Sequence, residues 1–178
     1  MTEAGDSVAR FYADWPRYNE RVAAHLRGLS ATDLALRAHG GHWPIWAIAG
    51  HTVGARIYWL CHVFGEPGAE TTPFTDPSGL GWEDELDVVR TADEVADAWE
   101  STWRVVQGCL DRWTPDSLGQ VTRRTGSRGI EVHSRQSILL RMITHEAYHG
   151  GEIALIEGIH GRPQLDLWPA SDWLVEPG

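Results

Sequence analysis

Four stretches of this sequence place apolar residues at steps of three and four, and that period constrains the fold more than any other feature. Val8, Phe11, Trp15, Tyr18, Val22, Leu26 and Leu29 form the first stripe, a helix over roughly 7–28. Ile48, His51, Ala55, Tyr58 and His62 share one face of a second, over roughly 44–64. Pro44 suits its first turn, where a missing N–H costs nothing. That helix ends near Gly65 and Pro67. Val95, Trp99, Thr102, Val106, Cys109 and Trp113 form the third stripe, opened by the capping-box pattern Thr91 to Glu94. Ile138, Met142, His145, His149, Ile153 and Ile156 form the fourth, over roughly 135–159, with Ser134 as its cap and Gly158 and Gly161 suited to its end.

Between the stripes the pattern is broken. Residues from Ser30 predict a short helical turn and then a loop at Gly40 and Gly41. Residues 66–90 hold Pro67, Gly68, Pro73, Pro77, Gly79 and Gly81, a long connection. Residues 114–133 are irregular, with a small hairpin expected around Gly126–Gly129. The tail from Arg162 has no helical period and is expected to pack over the outside. Four amphipathic helices bury their faces most simply as an all-α four-helix bundle. The connection of ~25 residues outreaches a ~30 Å helix, so helices two and three can run parallel. The chain of 178 residues reads as one domain, core 8–160 and tail 161–178.

Composition removes several functions. The net charge of −10 argues against nucleic acid, which is bound by neutralising phosphates. No apolar run approaches the ~20 residues of a membrane span, and the first residues have neither a basic nor an apolar leader region, so the cytoplasm is expected. All 15 basic residues are arginine, as a GC-rich genome would give. The 10 tryptophans are expected mostly in the core, or lining a pocket. Cys61 and Cys109 form no spaced framework and read as packed thiols.

The histidines carry the chemistry. His145 and His149 are one helical turn apart on a face that Ile138, Met142 and Ile156 assign to the core. Two adjacent buried imidazoles are costly unless something uses their lone pairs, and a divalent metal ion does so while requiring the neutral form. His51, on the second helix, supplies a third ligand from across the core. Three imidazoles leave a coordination position open, as in catalytic rather than structural sites. His62 shares the face of His51 but lies ~16 Å along the helix, too far to join it. His25, His39, His42, His133 and His160 fall at helix edges or in loops, with His42 and His133 the outside candidates for a pocket mouth.

His145-Glu146-Ala147-Tyr148-His149 also matches the H-E-x-x-H pattern of zinc metalloproteases. The longer form fails, with Glu152 and Leu155 at its glycine and final histidine positions. A glutamate ligand at Glu152 or Glu157 is the remaining protease option, yet no sheet is expected beside which a peptide would lie. Glu146 is turned ~100° from His145 and is expected to hydrogen-bond elsewhere.

Two segments together resemble a known family. LRGLSATDLALRAHGGHWPIWAIAGHTVGARIYWL at 26–60 and SRQSILLRMITHEAYHGGEIALI at 134–156 are similar in order and spacing to the DinB-like, or DinB/YfiT-like, metal-binding proteins, over roughly 8–160. The resemblance implies an up-down-down-up bundle and a metal triad of His51, His145 and His149. It implies zinc, nickel or another divalent ion, and a homodimer. Characterised relatives include S-transferases and an isomerase that use mycothiol, bacillithiol or glutathione. The Pro-rich 66–81 segment and the Trp-bearing tail depart from the family pattern, so substrate does not carry over.

The leading expectation is a metal-dependent thiol transferase or isomerase acting on a small-molecule thiol and an electrophile, with mycothiol favoured by the GC-rich composition. Arg123, Arg124 and Arg128, with Arg135, are the candidates to bind a carboxylate, against the alternative of a solvated loop. A non-enzymatic metal- or ligand-binding stress-response protein and a metal-dependent hydrolase stay open beside it.

Overall fold

Pro16 decides where the first helix begins. Proline is tolerated in a helix's first turn, but in its interior the ring collides with the carbonyl four residues back. In the computed structural model, which describes residues 7–169, the helix expected over 7–28 is accordingly split. A 3₁₀ turn, Val8–Tyr12, precedes helix α1, Trp15–Arg27, with Pro16 near its start. The split leaves Phe11 at 64% exposure, although the apolar stripe placed it inside. Trp15, Asn19, Val22, Ala23 and Leu26 form the buried face of α1.

The other elements follow the sequence pattern closely. Helix α2 is the single turn Ala31–Leu34, closed by a capping box between Ser30 and Asp33. Helix α3, Ile45–Ile57, continues as a π-helical turn, Tyr58–Val63, and the chain reverses at Gly65, where φ is +74°. Helix α4, Ala92–Arg112, starts on the expected Thr91–Glu94 box, and all six residues of its stripe are buried. Strands β1, Val121–Gly126, and β2, Gly129–Ser134, pair antiparallel as the expected hairpin. Helix α5, Arg135–Ile159, is capped by Ser134. The fold is therefore mostly helical rather than purely all-α, with the expected hairpin as the one small sheet among the described residues.

The long helices share one hydrophobic core. Trp103 of α4 packs edge-on against Trp15 of α1, with ring centres 5.4 Å apart. At the other end of α1, Arg27 reaches Asp93, Asp97 and Glu100 of α4. Trp46, Ile48, Leu60, Trp99, Leu110 and Ile138 are fully buried. Each such side chain contributes about 1.5–3 kcal/mol, so this core is expected to form without a metal. The 66–90 connection is part of it, because Phe74 and Trp82 are buried against α3. Gly50 permits this approach: a Cβ there would lie 2.4 Å from the Trp82 ring.

A polar network centred on Arg56 crosses the core. Arg56 of α3 donates from Nε to Glu146 of α5 at 2.7 Å, and from Nη1 to Asn19 at 2.9 Å. Its guanidinium lies over the Trp99 ring at 4.7 Å. Trp15 Nε1–H donates to the second Glu146 oxygen at 2.9 Å. Cys109 is buried and Cys61 half-buried, both as free thiols. Leu165 of the tail is buried, its N–H donating to Glu157 at 2.7 Å, while the tail beyond residue 169 lies outside the described residues. No helix among the described residues is long and apolar enough to cross a membrane.

Candidate metal centre

Helices α3 and α5 pack with His51 facing His145 and His149. One ligand atom from each of the three lies within 4.8 Å of the others. The Nε2 atoms of His51 and His145 are 3.2 Å apart. Two nitrogens at ~2.05 Å from a tetrahedral zinc are themselves ~3.3 Å apart, so this pair already has the spacing of two ligands. The donor set is three imidazoles, which suits zinc, nickel and other first-row divalent ions. The residues present therefore fit a metal ion.

Two carboxylates orient the rings. His51 Nδ1 bonds to Glu83 of the 66–90 connection, and His149 Nδ1 bonds to Glu152 at 2.6 Å. An ionised carboxylate only accepts, so both rings carry their proton on Nδ1 and present a bare Nε2. This is the arrangement that fixes metal-binding histidines in other proteins. Glu152 also holds His42 at 2.9 Å, and the Trp43 ring lies 5.0 Å from that of His51. Burial, then the neighbouring His149 and His51, push His145 down to about 4, and burial lowers His149 against the pull of Glu152. Both rings are neutral at pH 7, the form a metal requires. Glu83→Ala is expected to weaken zinc binding by ~10–100-fold, the usual cost of losing such a partner. Zinc titration of the apo variant checks this, and parental affinity would show that Glu83 does not orient His51.

His51 and His145 lie on the wall of a cavity of about 230 Å³. Ala55, Tyr58, Trp59 and His62 bring the second half of α3 and its π turn to the same wall. Phe74, Asp76, Leu80 and Glu83 line it from the connection, and Arg141 and Met142 from α5. Turns of π-helix recur at functional sites because the widened turn re-aims side chains. His62 thus shares the cavity of His51, though not its cluster, and bonds to the Phe74 carbonyl at 3.2 Å.

The remaining sequence candidates scatter. Arg124 reaches the outer side of the cavity wall, donating to the Tyr58 hydroxyl at 2.8 Å and pairing with Glu131 at 2.7 Å. Arg123 and Arg128 are exposed on the hairpin, and Arg135 is engaged by Glu66 at 2.9 Å. Outside candidate His42 reaches the centre through Glu152, and His133 packs on Trp59 with ring centres 4.7 Å apart. The protease options fail. Glu157 is held by His25 at 2.6 Å, and Glu152 is spent on His149 and His42. Glu146 is buried against Arg56. Sequence reasoning missed Glu83, which sits in a loop with no period to reveal it. It also missed Arg141, which the one-turn spacing to His145 could have exposed.

Among curated proteins none is similar enough in sequence to count as a match. The crystal structure of a DinB-like protein from Bacillus cereus ATCC 10987 superposes with a TM-score of 0.63 at 16% identity, over 92% of this chain and 99% of that one. At that identity the likeness is one of fold. The sequence profile of the DinB superfamily matches residues 17–153, a stretch that runs from α1 to the last turns of α5 and includes all three clustered histidines. The chain belongs to the DinB superfamily.

Proposed function

We propose that His51, His145 and His149 hold one divalent ion and that the protein is a metal-dependent thiol S-transferase or isomerase using a low-molecular-weight thiol. The observation that carries this reading is the placement of two of the clustered histidines, His51 and His145, on the wall of a partly apolar cavity. An ion so held, zinc or nickel by its imidazole donors, supplies a Lewis acid that lowers the pKa of a thiol reaching it. Glu83 and Glu152 keep the rings in the binding tautomer. Phe74, Trp59 and Met142 shield the reacting group of an electrophile from water. Burial pushes the Cys61 thiol up to about 11 and that of Cys109 up to about 12, so the reactive thiol comes from a cosubstrate. A cavity of about 230 Å³ is below the ~300 Å³ of ordinary ligand pockets. It admits the thiol end of mycothiol, not the whole molecule. Arg123 and Arg128, exposed on the hairpin, give it a basic edge that attracts an anionic cosubstrate in an otherwise acidic protein, whereas the charge of Arg124 is balanced by Glu131.

A second reading, metal-assisted hydrolysis, is favoured by Glu83. One of its oxygens engages His51, while the other is buried with no partner among the described residues. The tests separate these. Untagged protein reconstituted with metal is expected to hold about one equivalent of a divalent ion. It should then consume mycothiol, bacillithiol or glutathione in the presence of an electrophile, and His145→Ala should not. Ester cleavage without thiol would favour hydrolysis, and ligand binding without turnover a binding protein. No bound metal, or two tight equivalents, would sink the site itself. Chelation is expected to lower the melting temperature by about 5–10 °C while leaving helical circular dichroism intact. Loss of the helical signal would mean that the metal, not the core, holds the fold.

We also infer an up-down-down-up four-helix bundle. Arg27 meeting the start of α4 while Trp15 meets Trp103 supports an antiparallel α1 and α4. His51 near His149 with Trp59 near Arg141 supports an antiparallel α3 and α5. The exposed stripe Leu140, Tyr148, Leu155 and Ile159 on α5 supports a homodimer, which light scattering would test.

A further inference from the structure

Arg141 stands on α5 one turn before His145 and lines the mouth of the cavity. Its guanidinium lies 4.8 Å from the centre of the Trp59 ring. Among the described residues no hydrogen bond or ion pair engages it. The contrast with its neighbour is instructive. Arg124 lies against the same ring at 5.1 Å, but Glu131 at 2.7 Å balances its charge and the Tyr58 hydroxyl takes one of its donors. The cavity's own carboxylates do not answer Arg141. Glu83 is bonded to His51, and Asp76 accepts from the Ser78 N–H at 2.8 Å. A guanidinium resting on an aromatic face keeps its fork of N–H donors free at the edge, and that fork matches a carboxylate.

The rest of the cavity sets the ligand's body and charge. Phe74, Leu80 and Met142 give it an apolar side. With Asp76 and Glu83 on the same walls, and a chain of net charge −10, a doubly charged head such as a phosphate is disfavoured against a single charge. We propose that this cavity binds a small aryl or alkyl monocarboxylate, its carboxylate on Arg141 and its apolar body against Phe74, Leu80 and Met142. The assignment deepens the metal-enzyme reading and rests on it only for what the histidine cluster does to the bound molecule. Binding through Arg141 needs no metal. Arg141 is thereby the specificity-determining residue of the site.

The test uses the whole protein, metal-free and zinc-loaded, titrated by NMR with phenylacetate, its neutral isostere phenylacetamide, and phenyl phosphate. Phenylacetate is expected to bind the metal-free protein about tenfold more tightly than the amide. Arg141→Gln should bring the two to parity, and Arg141→Lys should restore part of the difference. Circular dichroism of both variants should match the parent, since the side chain is exposed. Equal binding of acid and amide, an unchanged preference in Arg141→Gln, tighter binding of phenyl phosphate, or no binding of phenylacetate would each overturn the proposal. Zinc titration of the same samples reports on the histidine cluster separately. A parent that prefers the acid through Arg141 yet takes no zinc sinks the metal reading and leaves this one standing.

Discussion

His51→Ala should bind zinc more weakly than the parent by more than roughly a hundredfold while keeping its helical content. The loss of a mere orienting partner costs ~10–100-fold, and His51 is a direct donor candidate. Its removal leaves His145 and His149, two imidazoles on a single turn of α5, without the nitrogen that now lies 3.2 Å from His145. The fold should survive because His51 is only half-buried and borders a cavity, so alanine there opens an existing space rather than a new one in the core. Glu157→Ala is the informative contrast. Glu157 is the downstream position that a metalloprotease reading would use, but it is fully buried, held by His25 and by the Leu165 N–H. Its loss should loosen the tail and leave zinc affinity at the parental value, and Glu157→Gln serves should alanine prove too unstable. Isothermal titration of the apo proteins decides. Parental zinc binding by His51→Ala, together with loss in the Glu157 variants, would dismantle the histidine triad.

Glu146→Ala should cost about 3–5 kcal/mol of stability, because it leaves Arg56 charged and unpaired in the core. The two side chains are 2% and 1% exposed, so water cannot take over the lost bond. For a chain of this size that corresponds to a fall in melting temperature of roughly 6–20 °C. The double variant Arg56→Met with Glu146→Leu should recover most of it, since a buried pair replaced by packed apolar groups is close to neutral. Glu146→Gln keeps the shape but sets an amide against the Trp15 N–H or the Arg56 donor, and is expected to fall between. None of these variants should change zinc affinity by more than a few-fold once folded. Arg56 and Trp15, not the histidine cluster, take up Glu146's oxygens. A Glu146→Gln protein that folds normally and loses activity by orders of magnitude, from a parent that cleaves peptides, would revive the protease assignment.

The second helix shows how a correct pattern can carry the wrong meaning. Ile48, His51, Ala55, Tyr58 and His62 do share a face, as the period requires. Yet His51, Ala55, Tyr58 and His62 line the cavity, whereas Trp46, Ala49, Val53 and Ile57 are also buried. A helix enclosed on most sides has little amphipathic contrast, so its stripe does not say which neighbour it faces. Arg56 illustrates the same limit. Read alone it belongs on a solvated face, and only the arrival of Glu146, Asn19 and Trp99 from three other helices makes its burial tolerable.

By itself the sequence determined the local elements and the one-turn pair His145 and His149. A helix's period, its caps at Thr91 and Ser134, and the hairpin at Gly126–Gly129 are set by residues a few positions apart. Pro16 belongs in that class as well, and its effect on the first helix was there to be read. Only the tertiary structure decided the partners: Glu83 on His51, Glu152 shared between His149 and His42, Arg141 left unanswered at the cavity mouth, and Arg56 matched to Glu146. These contacts join residues as far as 110 positions apart, as His42 and Glu152 are. They depend on how helices pack and on where an aperiodic loop is seated by Trp82 against Gly50. Neither leaves a repeat in the sequence, because the energy that fixes them comes from burial shared among segments that have no local preference for one another.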